Sequence, residues 1–218
     1  MRGQEGRVFS IAASHAPVPG CTTSAQVARG EGFELTHFAL AAGTDISAES
    51  HPGAKLLLVD GGEMLVALDR TQEIRAQAGQ AILVPSNVLV GLASPTGCVF
   101  TDLTCEEETT MNEALKAGDV LRLADLLPYQ EGTIVNMDLA HNKGMKFALM
   151  SFDAGTGLSE HSAPGDALVF ALEGEGVIGY EGKEHVIHAG ENFKFAAGGR
   201  HFVRADKRFK MALLLTLE

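Results

Sequence analysis

The sequence has no tryptophan and only three cysteines, Cys21, Cys98 and Cys105. An odd count without CxxC spacing argues against a disulfide framework and a zinc knuckle, and points to free thiols in a reducing compartment. Basic residues are also scarce: 17 Lys and Arg face 28 Asp and Glu, for a net charge of −11. With no basic segment, neither a nucleic-acid backbone nor an anionic membrane is an expected partner. No apolar run approaches the ~20 residues of a membrane span, and the N-terminus carries no apolar run of signal-peptide length, so a cytoplasmic location is expected. Equally absent are a GxSxG elbow, an HExxH helix, a Gly-rich phosphate loop and a dinucleotide fingerprint, which removes the chemistries those motifs serve.

What the sequence has is glycine, 25 residues of it, placed between short alternating segments. Glu34–Leu40, Lys55–Val59, Glu63–Leu68, Gln72–Ala76, Gln80–Val84, Val88–Val90 and Cys98–Leu103 read as strands about 8–12 residues apart, with Asp60-Gly-Gly62 as a hairpin signal. Residues 1–24 read as an N-terminal arm with a short strand over Val8–Ala12 and a solvated His15. A barrel follows over 25–104. Residues 105–119 are acidic, lack alternation and suit one short helix stopped by Gly118. A second barrel then fills 120–218.

The second half repeats the first. Gly43, Pro52-Gly53 and Gly62-Glu63 recur at an offset of 112 as Gly155, Pro164-Gly165 and Gly174-Glu175. One residue is lost in the next hairpin, and Gly79 and Val99-Phe100 then align with Gly190 and Lys210-Met211 at 111. The chain is therefore expected to hold two copies of one small β domain.

The second copy delivers two histidines from separate strand ends, His161 before Pro164-Gly165 and His201 after Gly190 and Gly198. This pattern resembles a cupin. In that family a first motif carries His-x-His, then Glu, then Gly, and a second carries Gly, Pro-x-Gly and His. Here His161, Gly174, Gly190, Gly198 and His201 fit, while Ala163 and Ala167 stand where the second His and the Glu would be, and Ala196 where Pro is usual. The wording Glu160-His-Ser-Ala-Pro-Gly-Asp-Ala167 is similar to a subgroup of small, mostly uncharacterised bacterial cupins. In the first copy, register puts Glu49, His51, Lys55 and Val90 at the four ligand positions. The whole chain thus resembles a bicupin. The resemblance implies an all-β fold of two tandem double-stranded β-helix (jelly-roll) barrels joined by a short helical linker. It also implies a small-molecule pocket in the C-terminal barrel, and pairing of barrels through sheet faces, either in a homodimer or within the tandem itself.

Two functional readings follow. In the first, His161 and His201 line a small-molecule-binding pocket, with Asp166 and Glu160 as nearby polar groups. In the alternative, the same two histidines bind a divalent transition metal (Fe, Mn, Ni or Zn) in a dioxygenase or isomerase, with the third ligand drawn from Asp166 or Glu160. Glu160 neighbours His161 and so points to the opposite face of a regular strand, and Asp166 needs a bulge or turn to point inward. In the first barrel Glu49, His51 and Lys55 are expected at one pocket mouth. Lys55 in the glutamate position opposes a metal and pairs with Glu49. His37 is read as a satisfied core or surface histidine.

Overall fold

The computed structural model describes residues 5–217. The chain divides into two compact units, Ile11–Arg122 on one side and Met1–Ser10 with Leu123–Glu218 on the other. The segment 1–24, read from sequence as a separate arm, is thus shared between the two units, and its first four residues lie outside the described ones.

The N-terminal barrel is built from Thr22–Gly30, Phe33–Leu40, Thr44–Ser50, Lys55–Leu68, Gln72–Gln77, Ala81–Val84, Leu89–Ser94 and Cys98–Cys105. The C-terminal barrel uses Ile134–His141, Met145–Phe152, Thr156–Ser162, Ala167–Tyr180, Lys183–His188, Asn192–Phe195, Arg200–Ala205 and Phe209–Thr216. Each strand of the second barrel starts 112 residues after its counterpart as far as Ala167, and 111 residues after it beyond that. The lost residue lies in one hairpin, which Asp69, Arg70 and Thr71 turn in the first barrel and Glu181 and Gly182 in the second. Even the β-bulges repeat: those between Gln26 and Ala28, Ile46 and Glu49, and Val59 and Gly61 recur between Asp138 and Ala140, Leu158 and His161, and Ala171 and Glu173. Bulges re-aim a strand at fixed positions, so their recurrence means that the two copies curve alike.

The Asp60-Gly-Gly62 turn signal proves to be a bend inside one 14-residue strand, Lys55–Leu68, rather than a hairpin. Gly62 and its counterpart Gly174 sit at φ of 74° and 76°. A Cβ at Gly62 would strike the Gly97 carbonyl, and one at Gly174 the Arg208 carbonyl. Only glycine allows that backbone at that distance. The bend carries each long strand from one sheet to the other. Ala167–Gly174 pairs with Asn192–Phe195 and Phe209–Thr216, and Glu175–Tyr180 pairs with Lys183–His188 and Arg200–Ala205. Side chains on the inner faces close two apolar cores. One surrounds Leu57, Val59, Met64, Val66 and Phe100, and the other Phe152, Val169, Ile178, Phe193, Phe195 and Phe209.

The helical residues also follow the repeat. The expected helix over 105–119 is absent, and that stretch forms turns and a two-residue strand, Thr110–Met111. With no apolar stripe along it, the acidic run has nothing to bury as a helix. The helical turn of the linker is instead a 3-10 turn, Leu123–Leu126, 112 residues after the short helix Ile11–Ser14. Each buries its first residue, Leu123 or Ile11.

The strand before each helical turn does not join its own repeat. Val8–Phe9 pairs with Asn192 and Phe193 in the C-terminal barrel, whereas Val120–Leu121 pairs with Ala81 and Ile82 in the N-terminal barrel. Isolated bridges from Glu5 to Lys194 and from Ala117 to Leu83 follow the same register. The two repeats have exchanged their leading strands, and each covers a sheet edge that would otherwise present unpaired backbone groups.

Candidate functional site

His161 and His201 sit directly opposite each other on the antiparallel pair Thr156–Ser162 and Arg200–Ala205. Opposed residues share a face, and the bulge between Leu158 and His161 sets this register. Their ring centroids are 4.4 Å apart. His201 is buried and stacks on Phe195 at 4.1 Å, with Tyr180 5.7 Å from Phe195, so the pair stands on an aromatic floor. His161 is exposed. Each imidazole bonds through Nδ1 to a carbonyl two residues upstream, His161 to Ser159 at 2.8 Å and His201 to Gly199 at 2.9 Å. A carbonyl can only accept, so Nδ1 carries the proton, and in the neutral ring Nε2 keeps its lone pair. Burial, followed by the neighbouring His161, lowers the His201 pKa against the Gly199 bond, which favours a neutral ring.

Asp166 and Glu160 are held elsewhere. The Asp166 carboxylate is 2.7 Å from the Lys194 ammonium and accepts from the Ala197 N–H. Burial alone would raise this carboxyl, but those two partners hold it below the ordinary range. Glu160 takes both the Nε and a terminal nitrogen of the Arg200 guanidinium.

In the N-terminal barrel the positions of His161 and His201 are taken by Glu49 and Val90. Lys55 reaches Glu49 at 3.6 Å, but its closer partner is Asp102 at 3.1 Å. Asp102 also accepts from Thr104 and is buried, and that burial raises its pKa against the pull of Lys55. His51 differs from the C-terminal pair in that its Nδ1 meets both the Gly53 N–H, at 3.1 Å, and the Gly53 carbonyl, at 3.2 Å. His51, Arg29, Glu34 and Thr104 line a cavity of about 350 Å³ whose walls include neither Glu49 nor Lys55.

The family model described as a cupin domain matches residues 148–217. The C-terminal barrel is therefore similar to a cupin domain over most of its length. Across the whole chain the cupin fold is shared with the Cupin 2 conserved barrel domain protein from Leptotrichia buccalis, at TM-score 0.87 and 22% identity, covering 99% of each chain. A salicylate 1,2-dioxygenase from Pseudaminobacter salicylatoxidans is similar at TM-score 0.65 and 11% identity, over 91% of this chain and 77% of that one. The same enzyme with gentisate is similar at 0.62 and 11%, over 88% and 72%. No curated protein matches in sequence.

Cupins commonly bind transition metals, so the donor set of this barrel is the relevant test. Two imidazole Nε2 atoms are available. Ala163 and Ala167 contribute nothing, and Asp166 and Glu160 are committed to Lys194 and Arg200. Among the described residues no group of three or more His, Cys, Asp or Glu side chains is placed to hold a metal ion. The residues do not fit a three- or four-ligand centre.

A second buried polar group lies in the N-terminal barrel around His37, which sequence alone placed in the core or at the surface without naming its partners. His37 is fully buried, and its Nδ1 lies 3.3 Å from the Thr101 hydroxyl and 3.7 Å from Asp60. Thr101 donates to Asp60 at 2.7 Å, and His15, half-buried rather than solvated, packs its ring 5.1 Å from that of His37. His37 Nε2 has no hydrogen-bond partner among the described residues. The signal was present in the repeat register: Leu127, Leu149, Leu172 and Ala212 hold these four positions in the C-terminal unit. Asp102 carried the same signal, facing Leu213 at the equivalent place.

Proposed function

We propose that the C-terminal barrel captures a small molecule over His161 and His201. The observation that carries this reading is the pair of unprotonated Nε2 atoms on facing strands, 4.4 Å between ring centroids, above Phe195 and Tyr180. Two acceptors beside an aromatic surface suit a flat ligand that presents O–H or N–H donors. The N-terminal barrel, with valine in place of the second histidine, is a structural copy in this respect.

A metal-dependent enzyme is the second reading. It is favoured by one observation, the Nδ1–H to carbonyl bonds, because such bonds orient metal-binding imidazoles. Metal analysis of protein purified without chelators, followed by titration with Fe(II), Mn(II), Ni(II) and Zn(II) while the imidazole C–H signals are recorded, separates the two. Ligand capture predicts no stoichiometric metal, and histidine shifts in a screen of phenols and hydroxy acids that are lost in His201→Ala. Stoichiometric metal that vanishes in His161→Ala overturns it in favour of the enzyme.

A further inference from the structure

The repeat allows one barrel to serve as a template for the other at a place away from the histidines. In the C-terminal barrel Tyr129 lies under two cations, with the Lys210 ammonium 4.4 Å and the Arg208 guanidinium 5.0 Å from the ring centroid. The Tyr129 hydroxyl donates to Glu173 at 2.8 Å, and Asp153 holds Arg208 at 3.0 Å. These five side chains form one contact network at the sheet bend.

In the N-terminal barrel all five are cut back. Pro17 replaces Tyr129, Ala41 replaces Asp153, Gly61 replaces Glu173, Gly97 replaces Arg208 and Val99 replaces Lys210. All five residues line an open groove of about 530 Å³, whose walls carry no charged side chain. Its backbone resists refilling, since Gly97 sits at φ 95° and a Cβ on Gly61 would press on Val99. The volume falls within the ordinary range of small-molecule sites, and apolar cavities far smaller than this hold a benzene ring.

We infer that this groove is a second ligand site that takes an uncharged aromatic molecule of one or two fused rings. The occupant's shape is that of the ring at the equivalent position in the other barrel, and its neutrality follows from the loss of both cations and both carboxylates. The site shares no residue with the histidine pair, so it stands independently of the function proposed above.

Indole is a suitable probe because the chain has no tryptophan and only two tyrosines, which leaves indole emission unobscured. Saturable binding is expected, with a blue shift and raised anisotropy of the indole emission, and with amide shifts at Gly61, Gly62 and Gly97. Indole-3-acetate should bind at least about tenfold more weakly, since no cation in the walls receives its carboxylate. Val99→Phe, which fills the groove, and Ala42→Glu, on an exposed wall residue that can change without disturbing the core, should each weaken indole binding about tenfold or more. His201→Ala should leave it unchanged. Failure of indole to saturate, amide shifts that bypass the three glycines, full binding by Ala42→Glu, or loss of binding in His201→Ala would each overturn the assignment.

Discussion

Replacing His37 with leucine, the residue at the equivalent position 149, should change how stability responds to acid. Burial, and then His15, lowers the His37 pKa from 6.5 to about 4. The folded chain therefore resists a proton that the unfolded chain accepts, and stability contributed by the neutral ring is lost as the pH falls from about 6.5 to 4. Asp60 acts with the opposite sign. Burial raises its pKa from 3.8 to about 6 against the Thr101 bond, so the folded chain takes up a proton first and gains stability over nearly the same window. The gain is complete below 3.8 and is lost as the pH rises through about 6. At 1.36 kcal/mol per pKa unit, the change between pH 7 and pH 4 is about 3 kcal/mol for His37; it is smaller for Asp60, whose side chain is 26% exposed and so screened by water. In the native chain the two oppose each other. Urea unfolding at pH 7, 6, 5 and 4 should therefore show His37→Leu gaining about 3 kcal/mol on the native protein as the pH falls, and Asp60→Leu losing a smaller amount. Other carboxylates cancel in these differences. Profiles for both variants that run parallel to the native one would refute the reasoning.

Two further outcomes follow from the barrel interiors. Lys55→Ala leaves Asp102 buried without its ammonium and should destabilise by about 3–5 kcal/mol, whereas the double change Lys55→Ala with Asp102→Leu, the pair found at 167 and 213, should recover most of that loss in thermal or urea melts. At the Pro-Gly turn, a Cβ on Gly165 would overlap the Thr216 carbonyl, so Gly165→Ala should cost about 3 kcal/mol or more, while Gly155→Ala, with open space around its Cβ but a positive φ, should cost about 1 kcal/mol, as read from denaturation midpoints.

The double-barrel fold was legible in the sequence because glycine positions and strand spacing are local signals that recur at a fixed offset. Gly43 with Gly155, and Gly62 with Gly174, fixed the register that the strands follow. The same local reading took Asp60-Gly-Gly62 for a hairpin, because a glycine at positive φ turns a hairpin and bends a long strand equally well, and only the partners across the sheet decide which. The histidine pair was legible from spacing. The surroundings were not, because the commitments of Asp166 to Lys194 and of Glu160 to Arg200 depend on strands that are distant in sequence. Asp102, and the partners of His37, escaped for a related reason: the polar groups they meet, Lys55 and Asp60, come from another strand.

The exchanged leading strands bear on the order in which the chain can fold as it leaves the ribosome. The N-terminal barrel has its eight strands by Cys105, but its Ala81–Val84 edge stays uncovered until Val120 and Leu121 are made. Val8 and Phe9 are made before either barrel and meet their strand partners only when Asn192 and Phe193 emerge. Their pairing spans most of the chain and must come late, since loop closure of that length precedes any gain from contact. The apolar Val8–Phe9 segment therefore waits until the C-terminal barrel is made, and for part of that time the Ala81–Val84 edge of its own repeat, which has the same register as its proper partner, is unpaired. A ribosome stalled between residues 106 and 119 would hold both a free strand and a free edge, and that interval is where misfolding by premature pairing would concentrate.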